Sequence, residues 1–185
     1  MTDQLKNKIP RWQALFAPRS FMKTKFIVVP FVIVFALIIM FPFLPYLVVV
    51  DGESSAIVYK SSIKAEKQFS IRFIHSIHLT PVDEFYLVDD DFNLILYETQ
   101  FDTFGVGMPS GLSEGETVQL KDGKIIIKNM HRMLPYLDLR IGQVIADHTL
   151  NINGQTVKLA KVAEPGSFVR IKAVKLSILQ IVVTR

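Results

Sequence analysis

The stretch Phe73-Ile74-His75-Ser76-Ile77-His78-Leu79-Thr80-Pro81-Val82-Asp83-Glu84-Phe85-Tyr86 gathers two histidines, two hydroxyls and two carboxylates within ten positions of otherwise apolar sequence. Imidazole, hydroxyl and carboxylate are the ingredients of Ser-His-acid hydrolysis, and Ser76, His75 or His78, and Glu84 could be assembled into such a set. Adjacent residues of a strand point to opposite faces, so His75 is badly placed to take a proton from Ser76. The glycine-flanked elbow that presents a serine nucleophile is missing as well. A zinc site wants three or four converging ligands. His75 and His78, three apart, fall on opposite faces of a regular strand unless the chain bends at Ile77. We therefore expect no catalytic residue, no metal and no cofactor here. His75, Ser76, His78 and Glu84 form a polar cluster of ligand-binding or structural character, with His75 buried and tied to a carboxylate or a backbone carbonyl. A hairpin folded about Thr80 would set His75 opposite Phe85, Phe73 opposite Leu87 and Ser76 opposite Glu84, and its register decides which polar pair exists.

A second unusual segment, Phe104-Gly105-Val106-Gly107-Met108-Pro109-Ser110-Gly111, has three glycines in seven residues. Glycine permits positive φ and close backbone approach, which suits a tight loop beside the His75 hairpin. The pattern lacks the strand-loop-helix setting of a dinucleotide loop. Gly105, Gly107, Pro109 and Gly111 are instead expected to contact a partner. Asp89-Asp90-Asp91-Phe92-Asn93 places acids as a calcium loop would at its start, but Leu94 and Gln100 stand where that loop needs Gly and Glu, so it reads as an acidic turn.

These residues must be positioned by strands. Beyond residue 46 the chain breaks into short β-branched and aromatic runs separated by all nine glycines, with no 3.6-residue period sustained over three turns. The predicted strands are Leu47 to Val50, Ala56 to Lys60, Gln68 to Ile77, Val82 to Val88, Asn93 to Phe101, Val118 to Leu120, Lys124 to Lys128, Leu137 to Val144, Thr149 to Ile152, Gln155 to Leu159 and Val169 to Val183. Asn153-Gly154 is the strongest hairpin signal, because a type I′ turn needs positive φ at both central residues, and Asp122-Gly123 is a second. The expected fold is all-β, an antiparallel sandwich or barrel over 46–185, preceded by one transmembrane helix.

That helix is expected within 26–45. Phe26 to Val50 is uncharged throughout, and roughly 20 apolar residues span a bilayer core. Pro42 and Pro45 put its end near Met40 to Leu44, with Pro30 as a kink or a late first turn. Residues 1–25 carry six basic side chains against one acid, whereas 51–185 carry 15 basic and 16 acidic residues. By the positive-inside rule the tail is cytoplasmic and the body extracytoplasmic. The bulky residues Phe43 to Val50 offer no small-x-small cleavage site, so an uncleaved signal anchor is expected. The absence of cysteine excludes disulfide scaffolds, thiolate metal sites and a lipoprotein anchor, and a body near zero charge speaks against nucleic acid as a partner.

The stretches from Phe73-Ile74-His75-Ser76-Ile77 through Thr80-Pro81-Val82-Asp83-Glu84-Phe85, and Phe104-Gly105-Val106-Gly107-Met108-Pro109, resemble the two signatures of an uncharacterised bacterial domain family. His75, Ser76, Glu84, Gly105, Gly107 and Pro109 match its pattern, and Val106 departs from the smaller residue expected between the glycines. That family is usually encoded beside TAXI-type TRAP transporters, importers of small organic anions, and has no established activity. The resemblance implies a transporter-associated role, with a TRAP permease or solute receptor as partner, in a single-pass protein of the bacterial cell membrane. The expected function is thus a membrane-anchored extracytoplasmic accessory or binding module. The alternatives are a small envelope hydrolase or metal-dependent enzyme using the His75 to Glu84 cluster, and a purely structural envelope domain.

Overall fold

A computed structural model describes residues 21–103 and 111–184, giving backbone alone for 21–27. The chain divides into two compact units, Met1–Phe41 and Pro42–Arg185. In the first, helix α1 (Phe21–Met40) carries Pro30 inside it. The amide of Phe41 closes the last turn on the Leu37 carbonyl at 2.8 Å. Pro42 follows and cannot extend the ladder. The uncharged run is therefore shared between a helix and a strand: Leu44 and Pro45, expected in the apolar anchor, open the first strand of the second unit. Among the described residues no helix is long and apolar enough to cross a membrane.

The second unit is two antiparallel sheets. Strands β1 (Leu44–Asp51), β2 (Ile57–Ser62), β8 (Leu137–Arg140) and β11 (Phe168–Leu176) form a four-stranded sheet in the order β2-β1-β11-β8. The larger sheet holds β3 (Gln68–Ile74), β4 (Pro81–Val88), β5 (Leu94–Phe101), β6 (Thr117–Lys121), β7 (Lys124–Leu134), β9 (Thr149–Ile152) and β10 (Gln155–Lys158) in the order β10-β9-β3-β4-β5-β7-β6. Period-two alternation supplies the core between them: Leu47 and Val49 of β1, Val169 and Ile171 of β11, Phe69 and Ile71 of β3, Tyr86 and Val88 of β4, and Leu150 and Ile152 of β9 are buried together. Phe69 and Tyr86, opposite each other, stack with ring centroids 5.0 Å apart.

Each predicted strand has a counterpart, and the differences lie at strand ends. Both expected hairpin turns form with positive φ at each central residue, 54° and 75° at Asn153 and Gly154, 53° and 77° at Asp122 and Gly123. The strand expected to run to Val144 stops at Arg140, and the one expected to start at Lys124 continues through Leu134. The strand expected from Val169 to Val183 breaks at Ser177. There a capping box, with the Ser177 hydroxyl accepting from the Gln180 amide and the Gln180 side chain accepting from the Ser177 amide, starts helix α2 (Ile178–Val183).

Candidate functional site

The β3–β4 hairpin does not fold about Thr80. Its partners are Phe69 with Tyr86, Ile71 with Glu84 and Phe73 with Val82, so the turn is centred between Ile77 and His78. All three expected pairs are thereby corrected: Phe85 opposes Ser70, Leu87 opposes Gln68, and Glu84 opposes Ile71 rather than Ser76. Ile74 ends β3, and the chain closes through the amide of His75 on the Thr80 carbonyl and that of Leu79 on the His75 carbonyl, both at 2.9 Å. Leu79 adopts φ 55°, a left-handed conformation that a leucine rarely takes and that this short turn imposes.

His75 is buried, and its Nδ1 accepts from the backbone amides of Ile77 and His78, each at 3.2 Å. Two donors on Nδ1 fix the neutral tautomer with its proton on Nε2. The nitrogen able to receive a proton is thus already holding the turn together. The His78 ring lies against it, centroids 4.8 Å apart, and His78 Nε2 is buried with no hydrogen-bond partner among the described residues. Ser76 is exposed at the tip. A third imidazole, His148, packs beside Phe73 at 5.6 Å, and burial holds its pKa below the usual value against the opposing charge of Asp147.

The register sorts the two carboxylates onto opposite faces. Asp83, 4% exposed, faces away from the core and accepts from Arg72 Nε and Nη2, at 2.6 and 2.8 Å, with Lys124 Nζ at 3.7 Å. Glu84 shares the inner face with Ile71 and Tyr86. Its Oε2 accepts from the Tyr86 hydroxyl at 2.7 Å. Burial pushes the Glu84 carboxyl above the ordinary carboxylate range, outweighing the Tyr86 hydrogen bond and the Arg132 charge that pull it down. The Tyr86 hydroxyl is pushed up by burial and then by the neighbouring carboxylate. Across the sheet from Glu84 stands buried Thr99, whose hydroxyl reaches Met130 Sδ at 3.5 Å.

Arg132 comes from the part of β7 beyond the irregularity opposite Leu96 and Glu98, where Asn129 has φ 57°. It pairs with Glu116 at 3.4 Å, and Glu116 Oε2 accepts from the Ser113 amide at 2.9 Å. The site is thus Glu84 and Tyr86 of β4, the half-exposed guanidinium of Arg132 from β7, and Glu116 from the turn before β6. Such a set can hold a proton, orient a polar ligand or pair an anion. It contains no activated nucleophile.

Tyr86, Glu116 and Arg132 were missed in the sequence. Tyr86 was within reach of the period-two rule, lying two residues beyond Glu84 on the same face. Glu116 and Arg132 meet through tertiary pairing and leave no local signal. Gly105, Gly107 and Pro109 lie outside the described residues. Gly111 is exposed with open space where a Cβ would stand. The acidic triplet is a turn: Asp89 Oδ1 accepts from the amides of Asp91 and Asn93 at 2.9 and 2.7 Å. Among the described residues no three potential metal ligands converge.

Comparison with protein families gives one match. Residues 69–159 match the model of a family described as Domain of unknown function (DUF1850). The matched stretch runs from β3 through β10, so it contains the larger sheet but for Gln68, the His75 turn, the Glu84–Tyr86–Arg132–Glu116 group and β8 of the smaller sheet, while β1, β2 and β11 lie outside it. Comparison with curated proteins returned no match, and comparison with solved structures returned none.

Proposed function

We propose that the protein is a membrane-anchored extracytoplasmic module that binds or assists a TAXI-type TRAP importer of small organic anions. The observation that carries the anchoring is the character of α1. From Val28 to Met40 its side chains are apolar, and Phe31, Val34, Phe35, Leu37 and Ile38 are all more than half exposed, so the helix is apolar on every side. A helix of that kind needs a hydrocarbon surround or a protein one. The basic tail before α1 and the near-neutral body after it orient the anchor with the domain outside. An accessory role agrees with the resemblance noted above, and with a hairpin whose imidazole holds its own turn instead of serving a nucleophile.

The chain has no cysteine, so single replacements report topology cleanly. In intact cells an impermeant maleimide is expected to label Ser54→Cys and Lys161→Cys, and mild-detergent extracts should bring a TRAP permease or receptor down with the protein. Labelling only after lysis would reverse the orientation. Recovery of the chain free of any transporter component, with organic-anion uptake unchanged by its deletion, would remove the accessory role.

A further inference from the structure

Helix α2 begins at the end of the domain where the chain enters it and offers a stripe of apolar side chains to solvent over the outer face of the smaller sheet. Val48 is fully buried although its neighbours Leu47 and Val49 face the core, so the outer face of the four-stranded sheet is covered there. The cover is α2. Lys60, the cross-strand partner of Val48, reaches the carbonyls of Ile181 and Thr184, with Thr184 Oγ1 at 3.1 Å, and so binds the last turn of the helix to this face. Leu179, Val182 and Val183 stand at i, i+3 and i+4, one side of the helix, and are 45%, 67% and 70% exposed. A groove of about 500 Å³ opens beside them, walled by Ile57, Tyr59 and Val182 among others.

Place and charge name the occupant. Leu44, the first residue of β1, pairs with Leu176, the last of β11, and α2 starts two residues later. Helix α2 therefore begins at the end of the sheet from which the chain leads back to α1 and runs back over its outer face to Lys60, and exposed Phe43 precedes the same strand. Lys60 and Lys172 share the sheet face beneath α2, and Lys175 is exposed next to its start. The acids at this end are Asp89 to Asp91, in the turn of the other sheet where Asp90 is paired with Lys67, and exposed Glu66 in the loop after β2, which Lys64 in the same loop offsets. Apolar residues on a short helix with cationic side chains around it suit the headgroup and upper acyl layer of a bilayer containing anionic lipid.

Resting on the anchored reading above, we propose that α2 is a second, peripheral membrane contact, laying Leu179, Val182 and Val183 against the lipid surface and fixing the domain upon it. The test uses the full chain with Trp12→Phe, reconstituted in vesicles of phosphatidylglycerol and dibromo-phosphatidylcholine, with one tryptophan reporter at a time. Bromine quenches indole fluorescence only on contact. Leu179→Trp is expected to lose most of its fluorescence, as is Phe31→Trp in α1, while Leu120→Trp, exposed on β6, keeps it. Val182→Trp repeats the measurement should Leu179→Trp fold poorly. Quenching at Phe31→Trp without quenching in α2 would overturn the peripheral contact and leave the anchor standing. No quenching at any position would overturn the anchor and this contact with it. Equal quenching at Leu120→Trp would show the domain lying on lipid without any particular part for α2, and would also overturn the proposal.

Discussion

At the scale of single residues, the side chain that departs most from ordinary behaviour is Glu84. Its carboxyl sits on the inner face of a sheet, and burial raises its pKa. A native pKa above the unfolded one means that the folded state binds the proton more tightly, so its contribution declines as pH rises from the unfolded value through the native one. Wild-type stability should therefore fall over that interval. Glu84→Gln, which cannot ionise and can still accept from Tyr86, should be as stable as wild type in acid and more stable near neutrality. Melting temperatures of both proteins across pH measure this. A wild type that gains stability from that carboxylate on deprotonation would show that Arg132 and Tyr86 outweigh burial. His75 belongs to the same scale. His75→Ala leaves two turn amides without their acceptor, so a loss of about 1–3 kcal/mol is expected from the midpoint of denaturant unfolding. A His75→Ala protein of unchanged stability that had lost organic-anion binding would instead make His75 a ligand contact.

Among elements, the instructive case is the segment Val169 to Val183. Its β-branched composition reads as one continuous strand, and a six-residue helix is too short to display a period. The punctuation was nevertheless present: Ser177 with Gln180 three positions on is the S-x-x-Q form of the capping box. Replacing the cap, Ser177→Ala, should cost about 0.5–2 kcal/mol. It should also speed amide exchange in 178–184 selectively, because the Gln180 amide in the first turn loses its acceptor. Uniform exchange throughout the domain would show that α2 is not an independently loosened element. Hairpin register failed for a different physical reason. Alternation tells which residues share a face but not where the chain turns, and a six-residue loop closed by an imidazole and a left-handed leucine has no Gly or Asn to mark its centre. Asn153-Gly154 and Asp122-Gly123 were legible because two-residue turns demand those residue types. The candidate site was half legible for a related reason: Glu84 stood out through its apolar surroundings, whereas Arg132 and Glu116 join it only when β4, β5 and β7 assemble.

At the scale of the whole domain, the question is how two sheets, the smaller of which has only β8 within the matched stretch, act as one body. The shared core is one answer, and a polar seam at the edge is the other. Asn153, at the tip of the β9–β10 hairpin, donates its amide to Ser61 Oγ at 3.0 Å and to the Ser62 carbonyl at 2.7 Å, both in β2 of the smaller sheet. Tyr59 in the same strand gives its hydroxyl to Gln155 Oε1 at 3.5 Å. The residue that sets the turn is thus also the one that ties the edges of the two sheets together. Asn153→Gly keeps the positive φ freely available and removes only the amide, separating the two roles. Each lost bond is worth roughly 0.5–1.5 kcal/mol, so the variant should unfold at lower denaturant by about 1–3 kcal/mol. The slope of its transition should stay unchanged, since the surface exposed on unfolding is the same. A variant that unfolds in two separated steps would mean that this seam, and not the common core, makes the sheets cooperative. A variant indistinguishable from wild type would assign the coupling to the core alone.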